Sequence, residues 1–400
     1  MKLIMRQRPH KTKERNKDRV TTILKNSGRR DMKRIGVISL NINTDDLNYG
    51  ALLHSYAFQQ FLSRYNGIYS EIIDYKGPSI EVQNLKYPTL SLLIKKKYYV
   101  AMMSVLRFFS HAKRYEKFKT FIEEYCIISN TSYNQKALDE DELDYDIVVC
   151  ESDVIWSPNI TQPGFDKAFF LASESMKKKR RVAYAASLAN ALFSAEQEKE
   201  FISLLSNVES ISCRESYAAE YVHQLVGRDV ACVLDPVLLL KDEDYSKFIK
   251  ERIIDEPYIL LYLPIEYNRT TVKKVRRYAK EKGLRIIEVS SYPFDMIHHK
   301  VIRDAGIEEF LSLIKNAEIV ISNSFHAVCF SVIFKKEFYA FTRKTGRKIE
   351  DICTRLGLED RFVKNELIER PAIDYDEINL RLERYREESI NYIEKKIIYC

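Results

Sequence analysis

The sequence lacks the long hydrophobic runs and the paired cysteines that mark membrane-spanning and disulfide-rich proteins. No apolar stretch reaches the roughly 18 residues that a membrane-spanning helix needs, and the N-terminus has no apolar core of a secretory signal. The seven cysteines are scattered, without a C-x-x-C pair, so neither a zinc site nor a disulfide framework is expected. These absences predict reduced, buried thiols and a cytoplasmic protein.

Glycine and proline are also scarce, with 11 and 10 residues among 400, whereas 46% of the chain is hydrophobic. Such a composition excludes extended disorder except at the ends of the chain. It favours a globular protein with one large domain or two domains and an ample core.

Acidic residues are rare in the N-terminal segment. Residues 1–34 contain 13 Lys and Arg against three acids, a charge of +10 within a net charge of +7, which leaves −3 for the rest. This arm could bind nucleic acid or an anionic membrane. The favoured alternative is a disordered or mis-assigned extension at 1–32, because "MKRIGVISL" from Met32 looks like a natural start that leads directly into a strand. No nucleic-acid partner is expected.

Beyond the arm, short apolar runs rich in β-forming residues alternate with helical patterns. "RIGVISL" (34–40), "YDIVVC" (145–150) and "RVAYAAS" (181–187) are predicted strands, and the rhythm restarts at "YILLYLP" (258–264) after a charged segment. This alternation predicts an α/β fold with two doubly wound parallel sheets. The expected domains are 33–245 and 256–372, followed by a C-terminal helix at 373–400 that packs back across them.

A segment within the first domain, 90–125, combines basic residues with aromatics and methionines at near-helical spacing. One interpretation is a membrane-surface or lid helix. The other is a core helix with a solvated basic face. The sequence leaves both open.

Ligands of open α/β sheets collect where strands end and helices begin. Gly50 opens the first helix, and Asp153 and Trp156 follow a buried strand. Asp153 could instead cap a turn, with Trp156 as a packing residue.

Two further residues occupy such junctions in the sequence. Arg214 lies between a strand and a helix, where it could grip an anion or simply pair with Glu215 or Glu220. His326 lies between two apolar runs and is either a core histidine or an acid–base catalyst whose pKa is balanced by a helix N-terminus and a bound anion.

Taken in order, five stretches resemble the polysaccharide pyruvyl transferase family. They are "NYGALLHSYAFQQFL", "ESDVIWSP", "SCRESYAAEYVHQLV…VLDPVLLL", "EEFLSLIKNAEIVISNSFHAVCFSVIFKKEFYAF" and "RKIEDICTRLGLEDR". The family's usual forms are NYGA, GSD-x-x-W, an Arg-Glu pair, a DP-leucine run and a DSFHG-like turn. The resemblance extends from Arg34 to about Arg361, and here Glu151, Asn323 and Ala327 replace the usual Gly, Asp and Gly.

The resemblance implies two Rossmann-like domains, similar to the GT-B glycosyltransferase architecture, and a transferase that uses phosphoenolpyruvate as its donor substrate. Pyruvate would be added as a ketal to a surface polysaccharide or its lipid-linked precursor, with no metal or other cofactor. The enzyme would work in the cytoplasm, with peripheral contact at the inner face of the membrane. The implied catalytic residues are His326, Arg214 and Asp153. The implied substrate-binding residues are Asn48, Tyr49, Gly50, Ser152, Trp156, Asn323 and Ser324.

Two other functions fit the same architecture. A nucleotide-sugar glycosyltransferase would need an acidic residue near the ribose, for which Glu288 is the candidate. A degenerate homologue that binds a glycan without catalysis is the third hypothesis.

Overall fold

A computed structural model describes residues 32–40, 47–77, 86–94, 96–158, 164–189, 192–249, 251–264, 268–292, 299–341, 347–364 and 366–400. Nearly all of the predicted basic arm at 1–32 lies outside these ranges.

The first sheet is built from seven strands of the described chain. Its strands are β1 (Lys33–Ile38), β2 (Ile68–Tyr75), β3 (Ile128–Tyr133), β4 (Ile147–Glu151), β5 (Arg180–Ala186), β6 (Ser210–Cys213) and β7 (Val230–Cys232). They lie in the order β3-β2-β1-β4-β5-β6-β7, and all neighbours are parallel. The central strand β4 is buried along its whole length because helices cover both faces, which is why it appears as an unbroken apolar run before Glu151.

The second sheet repeats this winding with five strands. They are β8 (Tyr258–Tyr262), β9 (Arg285–Val289), β10 (Lys300–Ile302), β11 (Ile319–Ser322) and β12 (Glu337–Ala340). Their order is β10-β9-β8-β11-β12, again with parallel neighbours.

Fourteen α-helices occur in the described ranges. They are α1 (Tyr49–Leu62), α2 (Thr89–Ile94), α3 (Tyr98–Leu106), α4 (Phe108–Tyr125), α5 (Gln135–Glu140), α6 (Glu174–Lys177), α7 (Ala195–Leu205), α8 (Ser216–Val226), α9 (Asp242–Ser246), α10 (Arg269–Lys282), α11 (Ile307–Lys315), α12 (Phe325–Ile333), α13 (Lys348–Leu356) and α14 (Tyr375–Ile393). Short 3₁₀ turns lie at Lys167–Phe170, Pro236–Leu239 and Glu359–Arg361, and a π turn at Glu394–Ile398 follows α14. The predicted α/β class with two doubly wound, Rossmann-like parallel sheets is confirmed.

The two halves of the molecule, one built around each sheet, share one hydrophobic core, and Tyr49 lies at their junction. Its ring stacks on Phe310 at a centroid distance of 4.0 Å and meets Tyr262 edge-on at 5.8 Å. Its hydroxyl donates to the carbonyl of Ala305 at 2.7 Å. Since aromatic pairs contribute about 0.5–1.5 kcal/mol beyond area burial, Tyr49 helps to hold the halves together.

Helix α14 connects the second half back to the first. Near its start, the Tyr375 hydroxyl donates to the Lys336 carbonyl at 2.6 Å. Near its end, the Ser389 hydroxyl accepts from the Leu234 backbone N–H at 2.8 Å. The helix therefore spans both sheets.

The cysteines of the described chain are free thiols. Five are buried, Cys232 is partly buried and Cys400 is exposed, so the expectation of buried thiols fails at the C-terminus. Among the described helices, none is both long enough and apolar enough to cross a membrane.

Candidate active site

A cavity of about 540 Å³ lies where the carboxyl ends of the two sheets face each other. From the first half it is lined by Leu47, Asn48, Arg114, Asp153 and Arg214. From the second half it is lined by Tyr262, Leu263, Pro264, Val289, Ser290, Ser291, Tyr292, Ser324, Phe325, His326 and Lys348. Its volume lies in the range of small-molecule sites, roughly 300–1,000 Å³.

Strand order explains why these loops converge. In the first sheet, the direction in which successive strands are added reverses between β1 and β4, and Asn48 and Asp153 follow those two strands. In the second sheet it reverses between β8 and β11, which are followed by Leu263 and Ser324. The cavity thus lies at two facing topological switch points, where α/β sheets leave a crevice for ligands.

His326 is in the first turn of α12 and packs against the start of α1. A Cβ placed on Gly50 would lie 1.9 Å from His326 Nδ1, closer than any contact between non-bonded atoms. Only glycine at position 50 therefore accommodates the ring. Burial lowers the pKa of His326 from its usual value, against the opposing charge of Asp235, so the imidazole is neutral near pH 7.

Asp235 connects His326 to Arg214 behind the cavity wall. Its Oδ2 accepts from Arg214 Nη1 at 2.6 Å and from the Ser152 hydroxyl at 2.8 Å, and lies 3.6 Å from His326 Nε2. Although burial would favour the neutral acid, the contact with His326 and the positive charge of Arg214 hold the pKa of Asp235 well below its usual value. Asp235 belongs to the DP-leucine stretch but was not predicted as a site residue from the sequence.

Arg214 is 2% exposed and is held by two carboxylates. Besides Asp235, its Nε donates to Glu215 Oε1 at 2.9 Å, and its guanidinium lies over the Phe325 ring at 4.3 Å. The pairing with Glu215 that the sequence suggested is present, and Arg214 also lines the cavity. No hydrogen bond to the described residues uses Nη2, which leaves this edge for a ligand.

Asp153 enters the cavity from a left-handed turn, with φ of 46° at Ser152 and 52° at Asp153. Its Oδ2 lies 3.8 Å from Nε2 of the buried His54. Despite burial, His54 and the nearby Lys348 lower the pKa of Asp153 far below its usual value. Asp153 is therefore a carboxylate over the whole physiological pH range.

Glu151, which replaces the family's usual glycine, points away from the cavity toward His54. The His54 Nδ1 lies 3.0 Å from both Glu151 carboxylate oxygens, and the Ser55 hydroxyl donates to Oε1 at 2.9 Å. Burial disfavours the imidazolium, yet the charge of Glu151 and the contact with Asp153 prevail and raise the pKa of His54 to about 10. The additional carboxylate is thus matched by a buried histidinium.

Two cations on the cavity wall were not predicted from the sequence. Lys348 is the first residue of α13, where the helix dipole disfavours a positive charge. Burial and the charge of Arg214 lower its pKa to about 8. Arg114 of α4 donates to the Leu47 carbonyl at 2.6 Å and lies over the Tyr49 ring at 4.6 Å. Lys348 is the second residue of one of the family-like stretches, whereas nothing local to Arg114 indicates the site.

Five predicted substrate-binding residues do not line the cavity. One is Gly50, which packs against the His326 ring behind it. Tyr49 packs between the halves, Ser152 bonds to Asp235, and Asn323 is buried behind Ser324. Trp156 is completely buried and donates through Nε1 to the Phe169 carbonyl at 3.0 Å, as expected for the packing residue that was the alternative.

Asn48 and Ser324 line the cavity as helix caps. The Asn48 side chain accepts from the Gly50 N–H at 2.9 Å, and the Ser324 hydroxyl accepts from the Ala327 N–H at 3.5 Å. Because the Ala327 N–H is used by this cap, an anion at the start of α12 would rely on the N–H groups before it.

Glu288 is unsuited to a ribose-binding role in this structure. It is 5% exposed, does not line the cavity, and its Oε2 lies 2.7 Å from His299 Nε2. Within the described ranges, no group of three or more His, Cys, Asp or Glu side chains is arranged to hold a metal ion.

Several solved structures resemble this fold at low sequence identity. The UDP-GlcNAc 2-epimerase of Methanocaldococcus jannaschii shares 15% identity with a TM-score of 0.48, covering 88% of this chain and 92% of its own. The ADP-heptose lps heptosyltransferase II of E. coli shares 11% identity with a TM-score of 0.35, covering 89% of this chain and 100% of its own. No curated protein sequence matches the chain significantly.

The sequence itself matches a family model over most of its length. The model describes polysaccharide pyruvyl transferases and aligns with residues 48–345, a range that includes Asn48, Asp153, Arg214, Asp235 and His326. This chain is therefore a member of the polysaccharide pyruvyl transferase family.

Proposed function

We propose that the protein transfers pyruvate from phosphoenolpyruvate to two hydroxyls of a sugar and forms a pyruvate ketal. The observation that supports this proposal most directly is the convergence of Arg114, Arg214 and Lys348 around His326 in one cavity. Phosphoenolpyruvate carries a carboxylate and a phosphate, so its binding requires several fixed positive charges.

The three cations differ in how they would bind the donor. Arg214 is oriented by Asp235 and Glu215 and offers one edge of its guanidinium. Lys348 is a point charge whose position at a helix start is unfavourable without an anion, which is typical of a binding residue. Nη2 of Arg114 is already occupied by the Leu47 carbonyl, so this residue also fixes the loop that precedes α1.

Ketal formation moves two protons: the two sugar hydroxyls lose one each, the enol methylene gains one, and the departing phosphate gains the other. The enol methylene gains a proton, one sugar hydroxyl forms a bond to C2 and loses its proton, and the C2–O bond to phosphate breaks. The second hydroxyl then bonds to C2 and loses its proton, and inorganic phosphate is released. His326 is the proposed proton carrier, acting on the methylene carbon or on the departing phosphate.

The electrostatics of His326 suit this role. Burial keeps the ring neutral. A bound anion favours the imidazolium and brings its pKa toward the working pH, where proton transfer is most efficient. Asp235, 3.6 Å from Nε2, stabilises the charged ring.

The proposed role of Asp153 is to accept a hydrogen bond from a sugar hydroxyl. A carboxylate with a strongly lowered pKa is a weak base. Asp153 is therefore better suited to accept a hydrogen bond from the sugar hydroxyl than to remove its proton. The proposed acceptor is a glycan or a lipid-linked oligosaccharide, met at the cytoplasmic face of the membrane.

Calorimetry with phosphoenolpyruvate tests the donor site without requiring the acceptor. Lys348→Gln should weaken binding about tenfold or more, as expected for a charge-assisted contact of roughly 1.5–3 kcal/mol. Lys280→Gln, which removes an exposed lysine near the end of α10, is the matched control and should bind normally. Arg214 is a poor target, because its loss leaves Asp235 and Glu215 buried without compensation.

Phosphate release tests the reaction. With a panel of lipid-linked and synthetic oligosaccharides, release should require both phosphoenolpyruvate and a sugar, and should vanish in His326→Ala but persist in His223→Ala on the surface of α8. Thermal stabilisation by a nucleotide sugar but not by phosphoenolpyruvate would refute the proposal.

A further inference from the structure

An exposed apolar surface lies on the helical insertion of the first half. Twelve of the nineteen large hydrophobic residues that are exposed in the described chain fall between Tyr87 and Phe109. Among them, Ile94 is 73% exposed, Tyr99 66% and Phe109 81%. Apolar residues scattered singly need no explanation, but a concentration within 23 consecutive positions indicates an interaction surface.

The two short helices of this surface are fixed to each other but bury little against the domain. The Thr89 and Ser104 hydroxyls are 2.6 Å apart and join α2 to α3, while Leu92 and Ala101 form a small separate core between them. Tyr87 stacks on Phe108 at 4.9 Å. Most of the remaining apolar side chains of α2 and α3 face solvent. Helices that are mainly apolar are normally buried in a protein core or in a membrane.

The charge of this segment indicates its partner. Residues 87–109 contain four Lys and Arg and no Asp or Glu, whereas the whole chain after residue 34 is net negative. Lys96 and Lys97 are exposed at the turn between α2 and α3, next to Tyr98 and Tyr99. Basic residues beside exposed aromatic and aliphatic side chains are the combination that binds the interface of anionic bilayers.

The same charge argues against self-association. In a two-fold symmetric dimer the same patch faces itself. Two copies of a patch with basic residues and no acids would repel each other, so a second copy of this chain is a poor partner for it.

The surface is continuous with the cavity through α4. This helix begins at Phe108 in the apolar surface and brings Arg114 to the cavity wall six residues later. At about 1.5 Å per residue the separation along the helix is roughly 9 Å. Salt bridges of Lys113 with Asp304 at 3.8 Å and of Lys117 with Glu309 at 2.5 Å fix α4 against the second half.

We propose that the surface formed by Tyr87–Phe109 docks on the headgroup region of an anionic phospholipid bilayer and holds the cavity close to it. The helices would lie on the membrane, since none described is able to span it. The advantage of this orientation, access to a lipid-linked acceptor, rests on the proposed function; the docking itself does not.

Sedimentation of the full-length protein with vesicles tests the docking. Vesicles of phosphatidylcholine and phosphatidylglycerol in equal amounts should bind the protein, and phosphatidylcholine alone should bind it much less. The double variants Ile94→Ser/Phe109→Ser and Lys96→Glu/Lys97→Glu should each bind anionic vesicles about tenfold more weakly or worse.

Matched controls carry the same changes elsewhere on the surface. Leu380→Ser/Tyr399→Ser removes two exposed apolar side chains, and Lys273→Glu/Lys280→Glu reverses two exposed charges of α10. Both should bind like the unchanged protein. Because the basic segment 1–32 is present in every variant, undiminished binding of the Ile94/Phe109 and Lys96/Lys97 variants would assign the binding elsewhere and overturn the proposal.

A fluorescence measurement gives a second, independent readout. Trp156, the only tryptophan, is completely buried and should not respond to vesicles, whereas Phe109→Trp should show a blue shift with anionic vesicles. No shift, or a change of oligomeric state in the Ile94→Ser/Phe109→Ser variant, would contradict docking on a bilayer. Phosphoenolpyruvate binding should be unchanged in all these variants, so failure of docking is distinct from failure of the proposed reaction.

Discussion

The contact between Gly50 and His326 allows a sharp test of the site's geometry through Gly50→Ala. The added Cβ would lie 1.9 Å from Nδ1 and 2.4 Å from Cγ of the ring, and the three nearest atoms all belong to His326. To restore an ordinary contact of about 3.4 Å, the ring must move by about 1.5 Å. Since a displacement of about 1 Å can reduce a rate about 100-fold, we expect a comparable loss of pyruvyl transfer.

The effect on stability depends on whether the ring is present. Alanine favours a helix over glycine by up to about 1 kcal/mol, whereas overpacking costs about 1–3 kcal/mol. Gly50→Ala should therefore be destabilising in the natural chain. In a His326→Ala background the obstacle is gone, and the same substitution should be neutral or stabilising.

A double-mutant cycle measures this change of sign. The midpoint of urea unfolding can be followed by the fluorescence of Trp156, which reports the first half of the molecule. The expected coupling free energy is about 2 kcal/mol. If Gly50→Ala shifts the midpoint equally in both backgrounds, the close packing of His326 on α1 is refuted.

Three further predictions concern the charges and the core around the site. Above about pH 8 Lys348 loses its proton, so the affinity for phosphoenolpyruvate measured by calorimetry should fall between pH 7 and 9. In Lys348→Arg the affinity should stay level over this range. An identical decline in both proteins would contradict the role of Lys348 in binding phosphoenolpyruvate. The pKa of His54 is raised from 6.5 to about 10, so its contribution to stability is complete below pH 6.5 and is lost as pH rises to 10, by at most about 1.4 kcal/mol per pH unit. That slope should be absent in His54→Gln/Glu151→Gln, which removes both charges, and a slope retained there would assign it to other groups. Trp156→Phe should lower the free energy of unfolding by roughly 1–3 kcal/mol, because packing is lost and the Phe169 carbonyl is left unpaired. The affinity for phosphoenolpyruvate should not change. Weaker binding at unchanged stability would indicate that Trp156 contacts the ligand.

The sequence located the cavity better than it identified the roles of its residues. His326, Arg214 and Asp153 were predicted because each follows a strand, and the carboxyl ends of parallel strands lie at one edge of a sheet. Asn48 and Ser324 were predicted from the family resemblance. Position in a motif did not reveal which way a side chain points. The direction of a side chain is set by the local backbone conformation, which depends on packing partners that are distant in the chain.

Trp156 and Glu151 illustrate that limit. Both are in the same family-like stretch as Asp153, yet Trp156 enters the core and Glu151 pairs with His54, 97 residues earlier. The turn at Ser152 and Asp153, with positive φ at both, directs only Asp153 into the cavity.

By itself, the sequence determined the α/β class and the two sheets, because strands and helices follow from local hydrophobic periodicity. It also predicted that residues such as His326 would lie at a binding site, since strand-to-helix junctions can be identified locally. Only the tertiary structure decided that Asp235 links His326 to Arg214, that Lys348 and Arg114 complete the positive wall, and that helices α2 and α3 remain exposed. Those properties depend on distances between segments that are far apart in the chain, and no local pattern encodes such distances.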